Sequence, residues 1–326
     1  MKKRHMIGTF ALVFLGANWL FNASWRAAPP ADPEITLISH RGVHQTFDRT
    51  GLENDTCTAE RIFIPTHDLL ENTIASMRAA FEAGAGVVEL DVHPTTDGLF
   101  AVFHDWTLDC RTNGTGETRS HDMAYLKTLD IGHGYTPDRG ATYPFRGAGI
   151  GLMPELREVF SALPDGRFLI NFKSREAREG DMLASLLGER PEWRAQVWAA
   201  YGGEEPVRQA AREIEGLSVW SKQSMVKCLL AYAGAGWSGH VPDACRNTKI
   251  MIPVNVAPWL WGWPNLLQQR FREAGSEVIL LGPVESGDPG TAGIDTLDQL
   301  ARIPDSFSGY IWTNRIELIG PAVSAR

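Results

Sequence analysis

Val88-Glu89-Leu90-Asp91-Val92 alternates aliphatic and acidic side chains, which is the pattern of a β-strand with two different faces. The aliphatic side chains on one face would pack against helices, and the two acids on the other face would point into the interior of the fold. Such a strand is expected in a barrel of parallel strands wrapped by helices, where functional residues lie at the carboxyl ends of the strands. The pattern therefore predicts a barrel if similar strands recur along the chain.

Seven more apolar runs rich in β-forming residues do recur along the 326 residues, with amphipathic segments between most of them. The eight runs are 35–40, 87–92, 168–172, 197–201, 217–221, 249–254, 277–281 and 309–313. The segments that predict helices are 73–83, 181–189, 206–215, 224–233, 264–274 and 296–301. Alternating strands and helices indicate a parallel sheet of the α/β class, and eight repeats favour a closed (β/α)8 TIM barrel over an open sheet.

Two stretches, 43–70 and 111–153, are longer than ordinary loops between a strand and a helix. A further apolar run, 99–103, follows Thr96-Asp97-Gly98, a turn sequence that predicts a hairpin with the preceding strand. Long loops on a barrel usually serve or cover its active face. We therefore predict one barrel domain over residues 31–326, with insertions on the active face and no second domain.

The composition is ordinary for a globular protein with a large core, since 44% of the residues are hydrophobic and 21% are charged. The formal net charge is -8, and the basic residues are not gathered into a stripe. A nucleic acid is therefore not an expected partner. Nothing in the composition indicates an obligate protein partner.

A targeting signal occupies residues 1–30, in which three basic residues (Lys2 to Arg4) precede an uncharged apolar run from His5 to Trp25. A helix of this length just crosses a bilayer, and the basic residues place its N-terminus in the cytoplasm. A cleavable signal peptide is the alternative, but no good small-x-small cleavage site is present. We predict a membrane anchor with the barrel outside the cytoplasm, on the periplasmic side. Cleavage would instead release the barrel into the periplasm.

Export would allow the four cysteines to form disulfides, and their even number allows all of them to pair in three connectivities. We favour Cys228 with Cys245, which closes a short loop. Cys57 with Cys110 would then tie the first insertion to the segment that follows a candidate catalytic histidine. Unpaired, buried cysteines are the alternative.

Glu89 and Asp91 would be two buried like charges, which is a costly arrangement unless a cation lies between them. Carboxylate oxygens suit a hard divalent ion such as Mg²⁺ or Ca²⁺. The alternative is a structural network in which a nearby lysine or arginine neutralises the acids.

His40 and His104 each close a predicted strand, at the same rim of the barrel as the two acids. Histidine titrates near neutral pH, so two histidines that flank one phosphate can act as general base and general acid. Arg41 offers a planar, permanently charged group for phosphate oxygens. A single histidine is more often structural, but two beside an acidic pair favour catalysis.

Five short motifs resemble those of the glycerophosphodiester phosphodiesterase family, in the family's order. They are His-Arg-Gly at 40–42, Glu-Asn-Thr at 71–73, Glu-Leu-Asp-Val at 89–92, Thr-Thr-Asp-Gly at 95–98 and Phe-His-Asp at 103–105. Their spacing agrees with the family apart from the insertion at 43–70, and the best match covers residues 35–116. Family members fold as a (β/α)8 barrel, so the resemblance implies the same fold as the strand count.

The resemblance also implies a role for each residue that matches by position. The implied set is His40 and His104 as the catalytic acid and base, Arg41, Lys173 and Trp312 as substrate-binding residues, and Glu71, Glu89, Asp91 and Asn171 as metal ligands. Glu71 is open to a second interpretation, in which it pairs with Arg41.

Asn171 departs from the family pattern, because family members place a third metal-binding glutamate in an Ile-Glu-Ile-Lys strand. The matching run here reads Ile170-Asn171-Phe172-Lys173. A neutral oxygen binds a divalent cation more weakly than a carboxylate, although asparagine is an accepted ligand for hard ions. Lys173 shares a strand face with Asn171, where its ammonium could neutralise a phosphate oxygen or the acids. His93 shares the face of the acidic pair and points either into the site or into loop packing.

Trp259, Trp261 and Trp263 follow the sixth of the eight predicted strands. They could contact an acyl chain, a choline-like group or a bilayer surface. Packing at the start of a helix is the alternative.

The function that the resemblance implies is metal-dependent hydrolysis of a glycerophosphodiester to an alcohol and glycerol 3-phosphate, or of a lysophospholipid by cleavage of the same bond. A lysophospholipase D or a sphingomyelinase D-like phosphodiesterase is one alternative, because such enzymes use a similar two-histidine barrel. A non-catalytic barrel that binds phosphodiesters is another, motivated by Asn171. Direct attack by water and formation of a cyclic phosphate intermediate both remain open.

Overall fold

The computed structural model describes residues 16–53, 55–285 and 292–325. Nine strands occur in this part of the chain. They are β1 (Ile35–His40), β2 (Ala85–Pro94), β3 (Phe100–Val102), β4 (Phe168–Phe172), β5 (Val197–Gly202), β6 (Val219–Ser221), β7 (Lys249–Pro253), β8 (Glu277–Leu281) and β9 (Gly309–Thr313). The eight strand predictions and the hairpin are confirmed, and no strand end differs from the prediction by more than two residues.

The strands form one sheet in the order β6-β5-β4-β2-β1-β9-β8-β7, in which every pair along this path is parallel. β3 is antiparallel to β2, as the turn sequence predicts. No ladder joins β6 to β7 in the described residues, so the barrel is nearly closed rather than fully closed. The Thr248 hydroxyl donates to the carbonyl of Val219 across this seam (3.3 Å).

Helices lie between most of the strands, as the amphipathic segments predict. They are α1 (Ile74–Glu82), α2 (Met123–Leu126), α3 (Leu156–Ala162), α4 (Arg178–Glu189), α5 (Glu204–Glu213), α6 (Lys222–Ala235), α7 (Asn265–Glu273), α8 (Leu297–Ala301) and α9 (Ile316–Ser324). Their apolar residues pack on the outer face of the sheet and complete the main core.

The junction between β1 and α1 is packed tightly, and this brings two site segments together. Thr73 caps α1 by accepting from the backbone N–H of Ser76, while the Ser76 hydroxyl accepts from the Thr73 N–H. Gly42 has a positive φ of 77°, and a Cβ there would lie 2.6 Å from the Ser76 hydroxyl oxygen. The backbone N–H of Asn72 donates to the carbonyl of Arg41 (3.0 Å). The Glu71-Asn72 segment is therefore held beside the end of β1.

Strand register decides which side chains face the barrel interior. His40 pairs with Glu89, and Asp91 pairs with Asn171, which in turn pairs with Tyr201. Residues paired in this way lie on the same face of a sheet. The acids and the first histidine therefore share one face at the carboxyl ends of the strands, where the sequence pattern places them.

The two long insertions build a second, smaller hydrophobic core. It contains Ala59, Ile62 and Leu70 from the first insertion and Met123, Leu126, Leu129, Ile131, Tyr135, Phe145 and Met153 from the second. The disulfide between Cys57 and Cys110 lies against this core. The other disulfide joins Cys228 in α6 to Cys245, and both of these residues belong to the main core. Both favoured pairings are confirmed.

The predicted membrane anchor falls largely on residues 1–15, which include Lys2, Lys3 and Arg4 and lie outside the described residues. Residues 16–21 are helical. Asn22 is buried against the barrel, where its amide donates to the carbonyl of Trp237 (2.8 Å) and its oxygen accepts from Arg270 (2.8 Å). Within residues 16–53, 55–285 and 292–325, no helix has the length and apolar character needed to span a membrane.

Candidate active site

Glu89 and Asp91 lie side by side inside the barrel, and both are 0% exposed. Glu89 accepts from the hydroxyl of Tyr201 (2.6 Å) through Oε1 and from the backbone N–H of Arg41 (3.2 Å) through Oε2. Burial, followed by the neighbouring charge of Asp91, raises the pKa of Glu89 to about 8. The groups around Glu89 therefore compensate the negative charge of its carboxylate only in part.

Asp91 is surrounded by donors and cations. Its Oδ1 lies 2.8 Å from the Asn171 amide nitrogen and 3.6 Å from the Lys173 ammonium. Its Oδ2 accepts from the Asn72 amide (3.0 Å) and lies 3.2 Å from Nε of Arg41. Burial opposes ionisation, but Lys173 and Arg41 together hold the pKa of Asp91 below its usual range. The ion-pair alternative of the sequence analysis is thus realised at Asp91.

Arg41 connects the acids of two different segments. Its Nη1 donates to Oε1 of Glu71 (3.0 Å), and its Nε faces Asp91. Its backbone has a positive φ of 59°, which lets the N–H of the same residue reach Glu89. The guanidinium is buried, so it presents an ordered cation on the barrel axis side of β1. The predicted pairing of Glu71 with Arg41 is present in this structure.

His40 is oriented by two residues from the other end of the chain. Its Nδ1 lies 2.5 Å from the side-chain oxygen of Asn314, whose amide nitrogen donates to Asp295 (2.8 Å). The amide nitrogen is committed to Asp295, so the oxygen faces His40 and selects the tautomer with the proton on Nδ1. The other nitrogen, Nε2, lies 3.9 Å from Glu89. Burial, with the charge of Arg41, lowers the pKa of His40 well below its usual value.

His104 is oriented in the same way by its neighbour in sequence. Its Nδ1 lies 2.6 Å from Oδ1 of Asp105, and Oδ2 of Asp105 accepts from Nε of Arg111 (2.8 Å). His93 holds the backbone, because its Nε2 donates to the carbonyl of His104 (3.3 Å). Burial, followed by the charges of Arg41 and Lys173, lowers the pKa of His104 well below its usual value.

The charge of Arg41 contributes to lowering the pKa of both predicted catalytic histidines. Each has its Nδ1 occupied by a protein acceptor, which leaves Nε2 for chemistry. Trp312 lies against His40 with 4.8 Å between the ring centroids and is itself buried. Its predicted contact with substrate stays a prediction.

The predicted metal ligands are brought together only in part. In the described segments, no three His, Cys, Asp or Glu side chains are placed so that they could hold one ion. Glu71 is engaged by Arg41 and by Arg111 (3.2 Å), and Asn171 presents its amide nitrogen to Asp91. The site consists of the carboxylate pair Glu89 and Asp91 with cations and amides around it.

Several residues of this site escape a reading of the sequence alone. Tyr201 and Asn314 each end or follow a strand at the carboxyl rim, and that position is the signal that could have identified them. Arg111 and Asp295 lie in loops outside the motifs and carry no such signal, although Arg111 stands only six residues after Asp105. His93 is fully buried and points at the backbone of His104, which settles its two interpretations in favour of packing.

The three loop tryptophans have different surroundings. The indole N–H of Trp261 donates to the carbonyl of Ala233 (2.8 Å), and Trp263 packs against Phe307 with 6.0 Å between the ring centroids. Both agree with the packing alternative. Trp259 is 85% exposed.

Comparison with known proteins places this site in a family. Residues 40–189 match the model of the Glycerophosphoryl diester phosphodiesterase family. A glycerophosphodiester phosphodiesterase of Caldanaerobacter subterraneus is 40% identical over 103 residues, which are 32% of this chain and 39% of that protein. The chain thus aligns with about two fifths of the length of that curated relative.

Solved structures share the barrel. A glycerophosphodiester phosphodiesterase from Agrobacterium tumefaciens superposes with a TM-score of 0.58 at 23% identity, over 89% of this chain and 99% of that chain. An Oleispira antarctica phosphodiesterase in complex with the product sn-glycerol-3-phosphate superposes with a TM-score of 0.55 at 16% identity, over 89% of this chain and 96% of that chain. Residues 40–189, which carry the motifs of the site, thus match the Glycerophosphoryl diester phosphodiesterase family, and the solved structures share the barrel fold.

Proposed function

We propose that this chain hydrolyses glycerophosphodiesters to an alcohol and glycerol 3-phosphate. The observation that carries the proposal is the pair of histidines at the barrel rim, His40 buried and His104 partly buried, each with Nδ1 held by a protein acceptor. The family that residues 40–189 match supplies the substrate class. The product complex of the Oleispira antarctica phosphodiesterase, which shares the barrel, agrees with that class.

Proton transfer is assigned to Nε2 of the two histidines. Lowered pKa values keep both rings neutral near pH 7 before substrate binds. A neutral imidazole can take a proton from the attacking hydroxyl, and the negative charge of the bound phosphodiester favours protonation of the second ring. One histidine then serves as base and the other protonates the leaving alcohol. Water and a neighbouring glycerol hydroxyl are both possible nucleophiles in this scheme.

Arg41 and Lys173 would bind the phosphate. Both are already directed at Asp91, so their charges point to one place inside the barrel rim. A planar guanidinium and an ammonium together can stabilise the charge that develops on the non-bridging oxygens. Because both cations are buried or nearly so, that stabilisation acts in a site with little water.

A hard divalent cation fits the acidic pair. The donors present are carboxylate oxygens of Glu89 and Asp91, and Mg²⁺ is commonly held by one or two carboxylates together with substrate phosphate and water. We propose that these two residues hold the ion, with Glu71 and Asn171 as further oxygen donors after rearrangement of their present contacts. When bound, the ion would supply charge stabilisation at the phosphate.

We also propose that the barrel works outside the cytoplasm on a membrane-anchored or exported chain. The apolar run from His5 to Trp25 with basic residues before it supports export, and the two disulfides agree with an oxidising compartment. Fractionation of cells that express the full chain tests this proposal. Recovery of the protein in the cytoplasm with reduced cysteines would contradict it.

Turnover of glycerophosphocholine with added Mg²⁺ or Ca²⁺ tests the activity, with His40→Ala as the variant. We expect loss of about 10² to 10⁴ in kcat, the usual contribution of a general acid or base. Equal rates for the two proteins would contradict the catalytic assignment. Binding of the diester without turnover by the unmodified protein would favour the non-catalytic barrel, and faster turnover of a lysophospholipid would favour the lysophospholipase D alternative.

A further inference from the structure

Arg111 is a buried arginine that no motif includes, and four of its contacts converge on two site acids and the second core. Its Nε donates to Asp105 (2.8 Å), and its Nη1 lies 3.2 Å from Glu71. Its Nη1 also donates to the hydroxyl of Tyr135 (2.6 Å), and its Nη2 donates to the hydroxyl of Thr58 (2.7 Å). A planar group with fixed N–H directions can satisfy these acceptors only in one orientation.

Asp105 is the link from Arg111 to His104. The carboxylate uses one oxygen for Arg111 and the other for Nδ1 of His104 (2.6 Å). Fixing the carboxylate plane therefore fixes the direction in which the imidazole points its Nε2. If Asp105 rotated or became mobile, the imidazole of His104 would be displaced from its catalytic position. Small displacements of a catalytic group lower the reaction rate substantially.

The Cys57–Cys110 disulfide holds the arginine where it is needed. Thr58 follows Cys57, Arg111 follows Cys110, and the two residues are joined by a hydrogen bond. The other side of this segment is closed by Gly134, where a Cβ would lie 1.9 Å from the carbonyl oxygen of Cys110. The Cys57–Cys110 disulfide thus links the first insertion covalently to the segment that carries Arg111.

We propose that Arg111 is a positioning residue for His104, acting through Asp105 and held in place by the Cys57–Cys110 disulfide. The proposal rests on the proposed function, in which His104 moves a proton. The competing route runs through Glu71, because Arg111 also contacts that acid. If Arg111 acted on Glu71 alone, its substitution would change the metal requirement of the enzyme and leave the behaviour of His104 unchanged.

Arg111→Lys is the main test, because lysine keeps the positive charge that buried Glu71 and Asp105 require but lacks the planar group that reaches four acceptors. We expect kcat for glycerophosphocholine to fall about tenfold or more while KM changes about twofold at most, since proton transfer is affected and substrate binding is not. Unchanged kcat would overturn the proposal.

A double-mutant cycle separates the two routes. Because Arg111 acts through Asp105, Arg111→Lys should cost nothing further when Asp105→Asn is already present. Losses that multiply in the double variant would overturn the proposal. So would a loss that excess Mg²⁺ or Ca²⁺ restores, because it would assign Arg111 to Glu71.

A readout without substrate keeps this inference distinct from the proposed function. The Nδ1 proton of His104 should give a downfield proton resonance in the unmodified protein, identified by its absence in His104→Ala. We expect this resonance to broaden or shift in Arg111→Lys. An unchanged resonance would overturn the positioning role. Absence of turnover in the unmodified protein with the expected change in the resonance would refute the proposed function alone.

The second disulfide is the matched control. Cys57→Ser/Cys110→Ser should lower kcat several-fold and broaden the His104 resonance, whereas Cys228→Ser/Cys245→Ser should leave both unchanged, because its cysteines lie in the main core. Melting temperatures of both variants report the general cost of a lost disulfide. Equal effects of the two variants on kcat would refute the role given to the disulfide.

Discussion

The side-chain amide of Asn171 donates to the carboxylate of Asp91, with 2.8 Å between Nδ2 and Oδ1. The two residues are register partners on the neighbouring strands β4 and β2. A carboxylate at position 171 would instead place a third acid against Asp91 and Glu89. The amide therefore lowers the repulsion between negative charges inside the barrel when no metal is bound. It also leaves a bound cation with one fewer anionic oxygen ligand.

Asn171→Asp should exchange metal-free stability for tighter metal binding. Loss of the hydrogen bond and the added charge should destabilise the metal-free protein by about 1 kcal/mol or more, which is about 2 °C or more in Tm for a chain of this size. The Mg²⁺ or Ca²⁺ concentration for half-maximal activity should fall. Thermal unfolding in chelator and in excess metal measures the first effect, and a metal titration of activity measures the second. An unchanged half-maximal concentration would remove Asn171 from the ion's surroundings.

Asp295→Asn should weaken catalysis through His40. Asp295 accepts from the backbone and side-chain nitrogens of Asn314 at 2.7 and 2.8 Å, and this leaves the Asn314 oxygen for His40. An amide in place of the carboxylate permits Asn314 to turn, so we expect kcat to fall about tenfold with little change in KM. Asp298→Asn, an exposed acid in α8, is the matched control and should behave like the unmodified protein. A kcat for Asp295→Asn equal to that of the control would contradict this orientation of His40.

The acid stability of the protein should depend on His93. Burial, together with the charge of Lys173, lowers the pKa of His93 to about 4 from 6.5. The folded state therefore binds fewer protons than the unfolded state between these values, and stability falls as the pH falls from about 6.5 to about 4. This contribution amounts to up to about 3 kcal/mol.

Urea denaturation at pH 7 and at pH 4.5 measures the effect of His93. His93→Gln, whose amide can still donate to the carbonyl of His104, should lose less stability on acidification than the unmodified protein. The other histidines with lowered pKa values, which are His40, His44 and the partly buried His104, account for the loss of stability that remains in this variant. Identical losses for both proteins would show that His93 is not the group that titrates.

Most of the fold follows from local sequence patterns. A period of two with an apolar outer face identifies β2, and short apolar runs between amphipathic segments identify the other barrel strands, because burial on both sides requires them. Closure could not be predicted at the seam between β6 and β7, since it depends on the geometry of the last strand pair rather than on any one strand. β6 shows this, because only Val219–Ser221 of the predicted run 217–221 is strand.

Within the site, the sequence by itself identified the candidate reacting groups, because His40, Arg41, Glu89, Asp91 and His104 stand in short motifs on the strands or just after them. His104 is oriented by Asp105 of its own motif, whereas the tertiary structure decided how the other groups, and Asp105 itself, are held. Asn314 and Asp295 orient His40 from more than 250 residues away along the chain. Arg111 is held against Asp105 by its contact with Thr58 of the first insertion and by the Cys57–Cys110 disulfide. Motifs record which side chains a strand end presents, whereas hydrogen bonds between distant segments exist only after the barrel brings its ends together.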